Sequence, residues 1–205
     1  MLGAKLIVGT SGVTFSCCSA YHYACTRTGN IGDALTSEGF EFIFKLSNKG
    51  GNGGQRATRF QKAFIDNREF ISSTWKSLKN GSVELLNYED DDEGEVSLMM
   101  WCSEAIKQPV RAKNSYLFIF AARWCTLNME DKIILEGHTL DSSNNLEDWK
   151  NKLKNIDVRA ITNETSEDKK IKKVMDYCHI KKDRVYYNDK KNIYNNLKQF
   201  CLKKN

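Results

Sequence analysis

The fold expected for this chain is set by one stretch, Lys132–Thr165, which reads KIILEGHTLDSSNNLEDWKNKLKNIDVRAITNET. Its first four residues form a short apolar run that predicts a strand, and Asp157–Ile161 predicts a second strand. Between them, Leu146, Trp149 and Leu153 recur at the spacing of one helix face. A strand, a helix and a strand in this order predict two parallel strands joined by a right-handed crossover.

The same alternation continues to the end of the chain. Residues 171, 174, 175 and 178 are apolar at i, i+3, i+4 and i+7, which predicts a helix. Arg184–Tyr187 then predicts a strand, and an amphipathic helix follows around Ile193 and Leu197. We therefore predict an α/β fold with a mixed sheet and helices, whose C-terminal part is a parallel βαβα layer.

Upstream of this stretch the pattern is less regular. Phe40–Leu46 alternates like a strand, and Tyr116–Thr126 is apolar on both faces, as a central strand would be. Thr58–Leu78 has helical spacing. No internal repeat at a fixed period is visible. We expect a single domain over residues 1–205, with a subdivision into a mixed α+β part (1–130) and a basic α/β part (131–205) as the alternative.

The cysteines and the apolar runs bear on the compartment. Seven cysteines are an odd number, and most lie within apolar runs, which is typical of reduced thiols in a cytoplasmic protein. A bilayer span needs about 20 apolar residues, and no run approaches this length. The first twenty residues lack the long apolar segment of a secretory signal. The sequence thus predicts an intracellular protein with reduced cysteines and no membrane partner.

Charge is distributed unevenly within the net +5 of the chain. Residues 151–205 carry 15 Lys/Arg and 7 Asp/Glu, whereas residues 1–150 carry 16 and 19. A basic end with interleaved tyrosines is typical of surfaces that follow a phosphate backbone. The lysines predicted to bind a nucleic acid or nucleotide are Lys169, Lys170, Lys172, Lys173, Lys181, Lys182, Lys190 and Lys191. A solvated helix face is the alternative for them.

A second candidate site rests on a resemblance to a known family. The segments IILEGHTLDSS, RAITNE and VYYND resemble the core of haloacid-dehalogenase-type phosphohydrolases. The resemblance implies that Thr162 matches the second motif, that Lys181 or Lys182 stands for the lysine, and that Asp189 belongs to the acidic motif. The nucleophile position is Ile134 or Leu135, depending on the alignment, and an aliphatic side chain cannot attack phosphorus.

The predicted strand ends can still form a crevice that binds an anion. Thr162, Asn163, Asn188 and Asp189 would line it, next to helix N-termini with free N–H groups. The sequence assigns no catalytic residue, no metal ligand and no cofactor. It favours a non-enzymatic binding protein that engages a polyanion through the basic C-terminal region. The alternatives are an enzyme acting on a phosphate-containing substrate in that crevice, and a viral, phage or other assembly component that forms oligomers.

Overall fold

The computed structural model describes residues 29–48, 54–75, 91–111 and 115–203, and these are mainly helical. The α-helices are α1 (Ile31–Ser37), α2 (Gly54–Ile65), α3 (Arg68–Trp75), α4 (Asp91–Ala105), α5 (Ser115–Trp124), α6 (Met129–Leu135), α7 (Leu146–Leu153), α8 (Glu167–Lys181) and α9 (Lys191–Phe200). Two short 3-10 helices in these ranges cover Ile43–Lys45 and Asn188–Lys190.

The predicted α/β fold is wrong, because the described ranges contain isolated antiparallel bridges and no β-sheet. Tyr116–Thr126, predicted as a central strand, forms most of α5. This helix packs against α1, α2 and α4, so it is apolar on several sides. A short apolar run has the same composition in a buried strand and in a buried helix, and periodicity alone does not separate the two.

The other segments predicted as strands do not form a sheet either. Phe40–Leu46 contains a 3-10 helix, and the apolar run that begins at Lys132 lies in α6. Asp157–Ile161 includes a turn, and Arg184–Tyr187 contributes a single bridge through Val185. The parallel βαβα layer is therefore absent from residues 127–203, all of which the structure describes.

The three C-terminal helices predicted from amphipathic spacing are confirmed as α7, α8 and α9. Residues of each predicted apolar face are buried, including Trp149, Val174 and Leu197, and Lys152 and Tyr194 are buried in addition. The helix predicted over Thr58–Leu78 is instead two helices, α2 and α3, separated by a turn at Asp66 and Asn67.

The described chain forms two compact units, and the boundary between them along the chain falls between Thr126 and Leu127. The first unit, residues 29–126, contains α1 to α5, and the second unit, residues 127–203, contains α6 to α9. Each unit has its own buried aromatic residues, among them Phe60 and Trp124 in the first and Trp149 and Phe200 in the second.

The first described helix of each unit is of the same short type. Asn30 caps α1 and Asn128 caps α6, and each side chain accepts a hydrogen bond from the aspartate N–H three residues later, at 2.8 and 2.7 Å. Both helices are seven residues long and are followed by a Glu-Gly pair. Gly39 and Gly137 both have a φ of +81°, which glycine adopts without strain. The pattern Asn-x-x-Asp-x-x-x-x-Glu-Gly thus occurs once in each unit.

Both units also end with the same disulfide-bonded pair of helices. The longer helices, α4 and α8, have 15 residues, and the shorter ones, α5 and α9, have 10. In each pair a disulfide joins the twelfth residue of the longer helix to the residue after the shorter one. The disulfides are Cys102–Cys125 and Cys178–Cys201, each with a sequence separation of 23.

The backbone pairing within each unit follows one register. The isolated bridges are Asn30–Pro109 and Phe42–Thr126 in the first unit, and Asn128–Val185 and Leu140–Leu202 in the second. From the first unit to the second, the residue number of the earlier partner increases by 98 in both bridges, and that of the later partner increases by 76. The Ile43 N–H donates to the Cys125 carbonyl at 2.9 Å, and Asp141 donates to Cys201 in the matching place at 2.8 Å. The two units are therefore copies of one structural plan.

An insertion explains why no fixed period reveals this repeat. The first unit has 22 more residues than the second between its Glu-Gly pair and its longer helix. Helices α2 and α7 correspond, because each buries residues at i, i+3 and i+4 against the longer helix. Helix α3 has no counterpart in residues 138–166 of the second unit, a segment that the structure describes throughout.

The expectation of reduced cysteines is wrong for the four cysteines that form these disulfides. All four are buried, so the apolar runs around them indicated burial correctly but not their oxidation state. The signal in the sequence was the equal spacing of 23 residues in two amphipathic segments. The remaining cysteines, Cys17, Cys18 and Cys25, lie outside the described residues.

Candidate anion-binding surface

Four of the predicted lysines lie in the first turns of α8. Ile171 and Val174 turn towards the core of the second unit, so the neighbouring lysines project away from it. Lys169, Lys172 and Lys173 are exposed, and Lys170 is half-buried. These side chains form the solvent face of an amphipathic helix. Their positions alone agree equally well with a solvated surface and with a binding surface.

Carboxylates balance several basic side chains of the second unit, but hardly any of the predicted ones. The ion pairs there include Lys132–Glu136, Lys198–Glu136, Lys150–Asp168, Lys152–Asp141 and Arg159–Asp157. Among the eight predicted lysines, Lys182 contacts Glu130 at 4.0 Å. The other seven form no ion pair with any residue of the described ranges.

Three cations gather where α8 ends and α9 begins, and we call Lys181, Arg184 and Lys190 the cationic cluster. Burial lowers the pKa of Lys181, and the positive charges of Arg184 and Lys190 lower the pKa further. No ion pair joins a residue of the cluster to a carboxylate of the described residues. Like charges held together without a carboxylate are unfavourable, and a bound anion would relieve that repulsion.

Polar and aromatic groups adjoin the cationic cluster. The Lys181 ammonium lies 5.8 Å from the centroid of the Tyr177 ring, and Lys190 lies 5.6 Å from that of Tyr187. The Asn196 amide donates a hydrogen bond to the Tyr177 hydroxyl at 3.4 Å. Burial raises the pKa of Tyr177, while Asn196 and the charge of Arg184 act in the opposite direction. We call Tyr177, Asn196 and the cationic cluster together the open face.

The structure brings Thr162, Asn163 and Lys170 together, around a cavity of about 560 Å³ that is lined by the loop connecting α7 to α8 and by Lys170 of α8. The cavity also contains Asp157 and Glu164, so its charge is mixed. Hydrogen bonds from Arg159, with smaller help from the charge of Lys170, lower the pKa of Asp157 to about 2. A carboxylate that stays ionised in the cavity disfavours an anion there.

The site implied by the phosphohydrolase resemblance does not form. Thr162 accepts a hydrogen bond from the Glu164 N–H at 3.2 Å and lies in a loop rather than at a strand end. Asp189 is exposed in a 3-10 helix and does not line the cavity that contains Thr162. Lys191 is likewise exposed, at the start of α9. Because the described residues have no sheet, the crevice at its strand ends is absent as well.

Sequence reasoning missed three members of the open face. Arg184 was placed in a strand, which hid its proximity to the lysines on both sides of the loop. Tyr177 and Lys181 are four residues apart on α8, and this spacing was an available signal for a shared face. Nothing in the sequence pointed to Asn196, because its contact with Tyr177 depends on how α9 packs against α8.

The described residues contain no group of three or more His, Cys, Asp or Glu side chains placed to hold a metal ion. None of the helices in the described part of the chain is long and apolar enough to cross a bilayer. Comparisons with protein-family models, with curated proteins and with solved structures found no match.

Proposed function

We propose that this protein is a non-enzymatic binding protein that engages a phosphate-bearing polyanion, a nucleic acid or nucleotide, through the basic surface of its second unit. The observation that carries the proposal is the group of predicted lysines without a carboxylate partner in the described chain; two of them, Lys181 and Lys190, flank the segment between α8 and α9 that carries Arg184. A fold that needed these charges only for stability would pair them, as it pairs Lys132, Lys150 and Lys152.

The disulfides bear on where the protein functions. Both are buried, and both join helices that carry the core of their unit. Disulfides of this kind form and persist in oxidising compartments and are rare in the cytosol. They weigh against the cytoplasmic location expected from the sequence, and we infer that the chain acquires its fold where thiols are oxidised.

Binding of labelled oligonucleotides to the full chain tests the proposal. If three to four phosphates are neutralised, we expect affinity for a single strand to fall roughly 20- to 50-fold between about 50 and 200 mM salt. Fluorescence anisotropy with single- and double-stranded oligonucleotides measures this dependence. No binding at the lower salt concentration contradicts the proposal. Tighter binding of a sulfated polysaccharide than of either oligonucleotide contradicts the assignment of phosphate as the ligand group.

A further inference from the structure

The repeat allows the three cations of the open face to be compared with the residues at the matching positions of the first unit. By the offset of 76 residues, Lys181 matches Ala105, Arg184 matches Gln108 and Lys190 matches Asn114 in the first unit. Asn114 lies outside the described residues, and the match there is one of sequence position. The first unit forms the same disulfide-bonded helix pair without any of these three cations. The cationic cluster is therefore not a structural requirement of the plan.

The first unit fills the corresponding face with a helix of its own. Trp101 and Phe120 occupy the positions of Tyr177 and Asn196. Phe70 of α3 contacts two rings of α5: its ring centroid is 5.4 Å from that of Phe120 and 6.1 Å from that of Trp124. Trp101 packs on Trp124 at 5.3 Å. An added helix thus covers this face of the first unit by aromatic packing.

Among the described residues, the second unit has no such covering helix at this face. It has no counterpart of α3 within residues 138–166, and Tyr177 and Asn196 stand where the first unit has Trp101 and Phe120. All five residues of the open face are partly buried, and none of them is a fully buried core residue. Within the described residues this face therefore lacks the apolar cover of the first unit and carries three positive charges, which makes it complementary to an anionic partner.

We propose that the open face is the primary binding site for the phosphate groups of a single-stranded nucleic acid. The inference rests on the proposed function and localises it. Arg184 supplies the planar fork that contacts phosphate at two oxygens, and Lys181 and Lys190 supply point charges on either side. The lysines at positions 169, 172 and 173 add only to the general field around the site.

The test replaces the cluster with the residues that the first unit carries. Lys181→Ala, Arg184→Gln and Lys190→Asn together are expected to weaken binding of a single-stranded oligonucleotide by about tenfold or more at about 50 mM salt. The matched control is Lys45→Gln, Lys107→Gln and Arg111→Gln, which removes two lysines and one arginine from exposed positions of the first unit. We expect the control to weaken binding by about twofold or less, since these exposed charges lie outside the open face and both lysines already have a carboxylate partner, Glu41 and Glu104.

The outcomes separate the site from the function. Equal effects of the two triple variants overturn the open face as the site, while the proposed function stands. No binding by the unaltered protein overturns the proposed function itself. If the cluster variant loses its helical circular dichroism, the single changes Arg184→Gln and Arg184→Lys decide: the glutamine variant is expected to bind about threefold more weakly than the lysine variant. Equal affinities of these two contradict the site.

Discussion

Replacing Cys178 and Cys201 by serine is expected to lower the free energy of unfolding by about 3 kcal/mol, since the disulfide closes a loop whose chain entropy the unfolded state regains. The same substitution at Cys102 and Cys125 should cost about as much, because both loops span the same number of residues. Burial of all four sulfur atoms means that each change also leaves polar hydroxyls in the core.

Hydrogen exchange followed along the full chain measures this effect. Removal of Cys178–Cys201 should reduce amide protection chiefly in α8 and α9, and removal of Cys102–Cys125 chiefly in α4 and α5. The control is the unaltered protein, reduced under denaturing conditions and returned to native conditions with its thiols blocked. It should lose protection in both helix pairs. Unchanged protection in both double variants would contradict the disulfides as stabilising links.

Asp141→Ala is expected to lower the free energy of unfolding by about 3 kcal/mol, because it removes the carboxylate that balances a buried ammonium. Lys152 is 8% exposed, and its Nζ lies 3.0 Å from the Asp141 carboxylate and 3.9 Å from the centroid of the Trp149 ring. Chemical denaturation followed by circular dichroism at ~222 nm measures the change. Loss of this helix band reports the unfolding of the helices together.

The first unit supplies the control for this pair. Ile43 matches Asp141 in the backbone pairing, and Ala63 matches Lys152 on the equivalent helix, and both are buried. Asp141→Ile combined with Lys152→Ala should therefore recover most of the lost stability, since an apolar contact replaces the ion pair at little net cost. A double variant as unstable as Asp141→Ala would show that the ion pair is not the cause of the loss.

The pair also makes stability depend on pH. Burial acts to raise the pKa of Asp141, but the Ser143 N–H and the Lys152 ammonium outweigh it and hold the pKa below its usual value. A lowered pKa in the folded state contributes stability at pH values above the unfolded pKa of about 4. That contribution is lost as the pH falls through the lowered value. The Asp141→Ile, Lys152→Ala variant should lose less stability than the unaltered protein over this range.

Helices with one clear apolar stripe were predictable from the sequence, whereas fully buried segments were not. Around Trp149, Val174 and Leu197 the spacing of apolar residues has only one regular solution, and the predicted helices are confirmed. Residues 116–126 lack a polar face, so their composition agrees equally well with a central strand and with a buried helix. The sheet was inferred from such ambiguous runs, and the whole α/β assignment failed with them.

The repeat and the open face depend on relations that no local window contains. The shared Asn-x-x-Asp-x-x-x-x-Glu-Gly pattern and the equal cysteine spacing were present in the sequence, but the insertion around α3 separates them by two different offsets. The lysines were predicted by type and location, yet the sequence treated all eight alike. Only the packing of α9 on α8 distinguishes Lys181 and Lys190, which lie beside Arg184, from the solvated face of α8.

The most direct test of the central claim is a titration of the isotope-labelled full chain with a single-stranded oligonucleotide at about 50 mM salt, a condition that favours phosphate contacts. Nuclear magnetic resonance reads the binding residue by residue. We expect the largest shift changes at the Arg184 Nε–H, at the Asn196 side-chain amide and at the backbone amides around Tyr177. Changes confined to the first unit or to Lys169, Lys172 and Lys173, or no changes at all, would contradict binding at the open face.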